Sequence, residues 1–442
     1  MSDLITCTLE DICLKEKGSI ISGPFGSNIS SKYFVSSGIP VIRGNNLTTD
    51  HIKFIDDGFV YVTEEKANEL HCDAYADDLI FTAAGTIGQV GIIPKNTKYN
   101  RYVISNKQIR VRLDTELVDL DYAYCWFVSP WIQTALKNNN KGSTVPLLTL
   151  AEVRSLPITY PKDKGEQKAI AKVFNDLDAK IDNNVAICSD LEAIAKLLYD
   201  YWFVQFDFPD ENGKPYKSSG GKMVWNEELK REIPEGWEVV PYSEVISSIN
   251  TGLNPRDNFR LNTGGQIKYL TVKNLLPNGN IDFSACDLID EEARRIVHKR
   301  SDIKIGDILF ASISPLGRCH IIWNKPENWD INESVFSIRP DYNKVNSAFL
   351  YLSFTSDYFI KLAEGNSTGS VFKGIRITEL LGLKTILPPK PLLDKFNEYV
   401  YGLFDLKSNT MIENQELASL RDFLLPMLMN GQVKVKKEDA NE

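Results

Sequence analysis

Two kinds of hydrophobic pattern alternate along the chain. Short β-branched and aromatic runs, among them VIRGNNL, GFVYVT, DLIFTAA, QVGIIP and QIRVRL, are punctuated by Gly, Asn and Pro within residues 1–160. They predict strands joined by tight turns. LDYAYCWFVSPWIQTALKNN, residues 120–139, has helical spacing and ends in an Asn run. From 166 to 204 the pattern changes. Ile170, Phe174, Leu177, Ile181, Asn184, Cys188, Leu191, Ala195, Leu198 and Trp202 follow in steps of four and three. That is the a/d pattern of a coiled coil with one polar residue, Asn184, in its seam. At ~1.5 Å per residue such a helix would be about 55 Å long. Pro209 and the polar stretch DENGKPYKSSGGK break it, and residues 206–241 read as a linker.

The second half repeats the plan. IKYLTV, DILFASI, HIIWN and SVFSIRP predict strands, and SAFLYLSFTSDYFIKLAEG mirrors the helix at 120–139. A second a/d series runs through Phe396, Tyr399, Leu403, Leu406, Thr410, Glu413, Leu417, Leu420, Leu424 and Met427. The likeness extends to sequence. IPVIRGNNL at 39–47 matches IKYLTVKNL at 267–275, Asp78 opens DLIFT as Asp307 opens DILFA, and GS at 142 and at 369 each lead to a Pro-terminated strand. The offsets are 228 (39 to 267), 229 (78 to 307) and 227 (142 to 369). This period is far beyond the ~20–50 residues of solenoids and means domain duplication.

The expected fold is therefore α+β: two similar mixed α/β domains, at 1–160 and 242–389, separated by two long helices at 161–205 and 390–432. Equivalent placement of the helices favours an antiparallel coiled coil, with a pseudo-two-fold axis relating the halves. Residues 433–442 form a charged tail.

Composition narrows the function. A net charge of −9 over 442 residues argues against a protein that coats nucleic acid non-specifically. It leaves room for small local basic surfaces and for acidic faces toward protein partners. The start MSDLITCTLEDI has no signal-peptide pattern, and no apolar run is long enough to span a bilayer. Seven scattered cysteines without C-x-x-C fit reduced thiols in a cytoplasm, and the four histidines show no metal-ligand spacing. Adenine-methyltransferase, Walker A, G-x-S-x-G and dinucleotide-loop motifs are absent. Pro209-Asp210 with Glu228-Leu229-Lys230 matches a PD-(D/E)xK nuclease only loosely, in a segment with no predicted strand pair to hold a metal.

The stretch from GEQKAIAKVFNDLDAKIDNN to NEELKREIPEGWE resembles the central conserved region of the DNA-specificity (S) subunits of type I restriction-modification systems. LASLRDFLLPMLMNGQV resembles their distal conserved region, and GSTVPLLTLAEVRSLPITYP and GSVFKGIRITELLGLKTILPP resemble the ends of their target-recognition domains. One departure is visible: Glu166-Gln167 opens the first spacer helix, but Asp394-Lys395 stands in its place in the second half. The start of the second helix is left open.

The resemblance implies a non-catalytic, cytoplasmic subunit. It would bind double-stranded DNA, two methyltransferase (M) subunits and, in the full complex, restriction (R) subunits, with no membrane. Each recognition domain would read one half of a bipartite asymmetric target, and the helices would set the gap. The chain itself would hold no cofactor or metal; S-adenosylmethionine, ATP and Mg would sit on the partners. The alternative is a stand-alone DNA-binding or adaptor module of a related defence system. A self-contained nuclease or methyltransferase is disfavoured by the missing motifs.

Base reading needs polar side chains on loops that reach a groove. In the first domain the candidates are Ser27 and Asn28 in GPFGSN, Arg43, Asn45 and Asn46 in RGNN, Thr86 in AAGTIG, and Lys141. In the second they are Thr251, Asn254 and Arg256, then Lys273 and Asn274, Ser314 and Arg318, and Ser370 and Lys373. Asn and Gly also form turns whatever they bind. For the aromatics Phe25, Tyr33, Phe34 and Phe259, core packing is favoured over wedging or stacking against bases.

Overall fold

The short runs form strands of four or so residues, and both halves assemble them in the same order. The computed structural model describes residues 3–435 apart from 50, 139–146, 257 and 366–373. Contacts divide the chain into two units, 1–183 with 414–442, and 184–413. Both boundaries cut through the long helices, so each unit contains one end of each helix.

In the first unit a four-stranded antiparallel sheet has the order Ile20–Ser22, Gln108–Val111, Leu79–Thr82, Val90–Ile92. A second sheet has the order Val60–Val62, Ile39–Ile42, Tyr102–Ile104, Asp73–Ala74, with its central pair parallel. Leu4–Thr8 pairs with Pro157–Pro161 and closes the unit. The predicted helix at 120–139 is two helices, Leu120–Phe127 and Pro130–Asn138. Pro130 opens the second, because its ring cannot continue the first.

The second unit repeats this. Its antiparallel sheet has the order Ile246–Thr251, Val335–Pro340, Ile308–Ala311, Cys319–Ile321. Its other sheet orders Asp287–Ile289, Ile267–Leu270 and Trp329–Ile331, again with one parallel pair. The aspartate opening each repeated strand has the same job. Asp78 pairs with Arg112 (3.0 Å), and Asp307 with Arg339 (2.8 Å), one strand away.

Residues 206–241 are folded, contrary to the reading of this segment as a linker. Met223–Asn226 pairs with Arg231–Pro234, and Glu238–Pro241 pairs with Lys384–Leu387 as the closing strand of the second unit. Phe206, Phe208 and Trp237 are buried in its core. Phe208 stacks on Tyr216 and Trp237 at 4.6 and 5.2 Å. The polar composition concealed these aromatics. The nuclease-like residues are dispersed here: the Asp210 carboxylate accepts from the backbone of Asn212 and Lys214, and Glu228 pairs with Lys384. Among the described residues no group of His, Cys, Asp and Glu is placed to hold a metal, and no helix is long and apolar enough to cross a membrane.

The long helices run Lys164–Tyr199 and Lys390–Met429, so the second begins before Asp394-Lys395. A π-helical turn over 200–204 ends the first and buries Trp202 and Phe203. Gln167 is fully buried near the first helix start. Its amide donates to Pro161 O and Leu117 O and accepts from Asp119 N, which fixes the helix on its domain.

The helices pair antiparallel. In the first unit Asp178 meets Arg421 (2.9 Å) and Asn414 donates to Ile181 O (3.3 Å). In the second, Asn184 donates to Glu413 (2.7 Å), and Lys407 bonds Glu192 (2.6 Å). Partner numbers fall as position numbers rise.

Along the first helix Ile170 and Phe174 are buried, and Leu177, Ile181, Leu191 and Leu198 are half-buried, as is Leu403 in the second. The predicted seam of the second helix slips. Leu406 (51% exposed) and Leu420 (45%) face solvent, as does Tyr399, while Leu417 and Leu424 are half-buried. Phe396 and Thr410 are buried as predicted, and Val400, Phe404 and Lys407 are buried where the pattern pointed to Tyr399 and Leu406. A real helix drifts from a strict 3.5-residue repeat, and here salt-bridged cations occupy positions where an apolar pattern expects leucine.

Lys407→Met should cost about 3–5 kcal/mol, because it leaves Glu192 buried without its cation. Lys407→Met with Glu192→Met should recover much of that loss. Urea unfolding of the two variants checks both; equal destabilisation would contradict the pairing.

Candidate nucleic-acid interface

Each unit gathers four loops at one end of its sheets. In the first they are 23–28, 43–46, 84–88 and 105–108. Gly23 lets the first pass the fourth: a Cβ there would overlap the Ser105 carbonyl. Gly252 does the same against the Ile331 carbonyl in the second unit. No side chain fits at either crossing.

The repeated Asn of the 43–46 and 271–274 turns is structural in both units. Asn46 is fully buried; its Oδ1 accepts from Arg43 N, and its Nδ2 donates to Ile55 O and Asp57 O. Asn274, 3% exposed, accepts from Thr271 N and donates to Asp282 O. Neither leaves an amide edge for a base, which corrects the expectation that they bind DNA. Thr251 is reassigned in the same way: its buried hydroxyl donates to Gly252 O and accepts from Arg300 Nε. Arg318 donates to Leu275 O (3.2 Å), and Gln89, its counterpart, donates to Leu47 O. Both hold the asparagine turn in place. Lys141, Ser370 and Lys373 lie outside the described residues.

The structure brings the other first-unit candidates together. Arg43 and Thr86 line a cavity of about 360 Å³ with Asn106 and Lys107. Arg43 donates to Gly58 O (3.3 Å), and its buried Nε has no partner among the described residues. Asn45 is exposed and donates to Gly58 O. Ser27 and Asn28 are exposed in a short turn, and Asn106 Nδ2 lies 3.0 Å from where a Cβ of Gly26 would stand. Phe25 is not in the core: it is 84% exposed at the tip of this loop.

In the second unit Arg256, Lys273 and Ser314 are exposed. Asn254 donates to Glu333 (2.6 Å), leaving Asn254 Oδ1 and Glu333 Oε2 buried and unpartnered among the described residues. Phe259 packs edge-on against Tyr269.

Asn106 and Lys107 escaped sequence reasoning. The available signal was their position, in a polar turn just before the strand QIRVRL, matching Glu333 and Ser334 before SVFSIRP. Both are exposed, and the Lys107 ammonium has no partner among the described residues. Beside the second-unit loops, burial pushes the Asp330 carboxyl above the usual range, opposed by hydrogen bonds from Ser301, the Ile331 backbone and His298.

The type I restriction modification DNA specificity domain matches residues 1–193 and 234–421, most of the chain. The chain belongs to this family. It is 26% identical to the type I restriction enzyme MjaIX specificity subunit of Methanocaldococcus jannaschii, over 96% of this chain and 93% of that one. It is 24% identical to the HindI specificity subunit of Haemophilus influenzae, over 82% and 91%. The fold is similar to that of the S subunit of a type I system from M. genitalium, with a TM-score of 0.51 at 16% identity over 97% and 96% of the two chains. This is a DNA-specificity subunit, and the paired loop sets are its candidate reading surfaces.

Asn46→Ala should lower stability by about 1–3 kcal/mol, since it strands buried backbone groups. Asn45→Ala, on the exposed side of the same turn, should change it by less than about 0.5 kcal/mol. Thermal unfolding compares the two, and equal effects would contradict the assignment of Asn46 to structure.

Proposed function

We propose that this chain is the non-catalytic reader of a type I restriction-modification complex, with each unit recognising one half of a bipartite, asymmetric DNA target. One observation carries the reading. The same loop scaffold occurs twice but presents different side chains: Arg43, Thr86, Asn106 and Lys107 in the first unit, and Arg256, Lys273 and Ser314 in the second. Arg and Lys suit guanine O6 and N7, and Asn suits adenine. Two such sets read two different sequences. Phe25 supplies an apolar wedge of the kind that unstacks a base step.

The chemistry belongs to the partners. Two M subunits would methylate adenine after flipping it from the stack, and R subunits would translocate and cut. S-adenosylmethionine, ATP and Mg would be bound there, and the assembly would work in the cytoplasm. Exposed apolar residues on the long helices, Leu197 (67%), Ile194 and Val185 on the first and Phe423 (60%) and Leu406 on the second, support protein docking along them. The helix pair would act as the spacer that fixes the gap between half-sites.

Methylome sequencing of cells expressing this chain with its M subunit tests the reading. Lys107→Ala should relax specificity in one half of the methylated motif and Lys273→Ala in the other. Changes in the same half would contradict two independent readers. Failure to co-purify with an M subunit would favour a stand-alone adaptor. Phe25→Ala should weaken binding of the Lys107 half-site several-fold, read by fluorescence anisotropy, with the melting temperature unchanged; a shifted melting temperature would return Phe25 to a packing role.

A further inference from the structure

The second unit carries a basic groove beside one of its helices. Its wall is the helix Glu291–Ser301, EEARRIVHKRS, capped by Asp290, which accepts from Ala293 N at 2.8 Å. The helix buries Ala293, Val297 and Ser301 and is fastened to the neighbouring strand through Asp330, which takes hydrogen bonds from Ser301 Oγ (2.6 Å) and His298 Nδ1 (3.0 Å). Beside it runs a groove of about 770 Å³ lined by Arg294, Arg295, Lys299 and Arg300.

Two acids, Glu291 and Asp302, also line the groove. Asp302 is already engaged by Lys304 (2.9 Å) and Arg339 (3.3 Å). Arg295 and Lys299 are exposed and have no hydrogen-bond or ionic partner among the described residues. They stand four apart on the helix, an arrangement of like charges that destabilises it. The helix dipole favours cations in the last turn and accounts for Lys299 and Arg300. It does not account for Arg294 and Arg295 in the middle.

The groove is continuous with the reading loops. Asn250 lines it and belongs to the strand Ile246–Thr251, which leads directly into the loop carrying Arg256. Arg300 bonds the Thr251 hydroxyl at the root of that loop. The corresponding helix of the first unit, Glu64–Leu70 (EEKANEL), has one cation. That lysine, Lys66, is buried, pairs with Glu69 (2.8 Å) and lies over the Tyr33 ring (4.0 Å).

We propose that the groove beside helix 291–301 binds the phosphate backbone of duplex DNA next to the half-site read by the second unit. Phosphate contacts of this kind position a protein without reading sequence. The second unit then clamps the backbone beside the sequence that its loops read.

This inference rests on the DNA-reading role proposed above, and the test separates the two. Binding of the full chain with its M subunit to a target duplex and to a scrambled duplex is measured by fluorescence anisotropy across KCl concentrations. Arg295→Gln with Lys299→Gln should weaken both duplexes at least about tenfold at 0.1 M salt. The slope of log K against log salt should fall in magnitude by about two, at ~0.9 per phosphate contact. Arg295→Lys with Lys299→Arg should keep the native slope. A native slope in the double-Gln variant overturns the phosphate groove while leaving the reading loops in place. A loss confined to the target duplex overturns it as well, by making these residues base readers. If the native complex shows no salt-dependent binding to either duplex, the DNA-reading role and the groove fall together.

Discussion

The antiparallel helix pair holds its register through buried polar contacts rather than through a continuous apolar seam. Asp178 with Arg421, Asn184 with Glu413 and Glu192 with Lys407 succeed one another along it. Sliding one helix by a turn would separate all three pairs and leave charges stranded in a low-dielectric interior, where an unpaired group costs several times what an exposed one does. Leucine seams tolerate such slips; these contacts do not. Register therefore comes from these polar pairs, and apolar burial at the ends, by Phe174 and Met429 in one unit and Trp202 and Phe396 in the other, adds adhesion.

The same polar contacts reach into the recognition domains. Lys407 also donates to Asn278 O, and Tyr351 donates to Glu192, so the loop after the asparagine turn is fastened to the helices in the second unit. In the first unit Lys53, on the matching loop, bonds Asp121 and Asn175. His320 stays neutral at physiological pH, because burial pulls its imidazole down to about 4, and its ring contacts Gly279 O in that same loop. Duplication has kept the fastening and the turn-forming asparagines and has varied what the loops present outward. That division is what a reader of two half-sites requires.

Much of this was visible in the sequence, for identifiable reasons. Strands, helices and the repeat are statements about backbone and burial, and a long chain repeats them redundantly. Single residues are harder. Asn46 and Asn274 look like base readers because the geometry that suits adenine also suits a peptide edge, and only burial distinguishes the two uses. The seam of the C-terminal helix was misphased because Lys407 and Arg421 occupy it, and polarity hides a core position. The segment 206–241 looked like a linker because Phe206, Phe208 and Trp237 are outnumbered by polar neighbours that stay in solvent. Lys107 and the basic helix at 291–301 were invisible for the opposite reason: exposed cations are common, and what marks Lys107, Arg295 and Lys299 is that they have no partner among the described residues, a property of three-dimensional structure.

The central claim is that the helix pair fixes the interval between two separately read half-sites. It is tested most directly by inserting one heptad into each long helix at matched points, beside Asn184 and beside Glu413, and mapping methylation at base resolution. The account predicts a longer unread gap flanked by the same two half-site sequences. An unchanged gap, or altered half-sites at the old spacing, would contradict it.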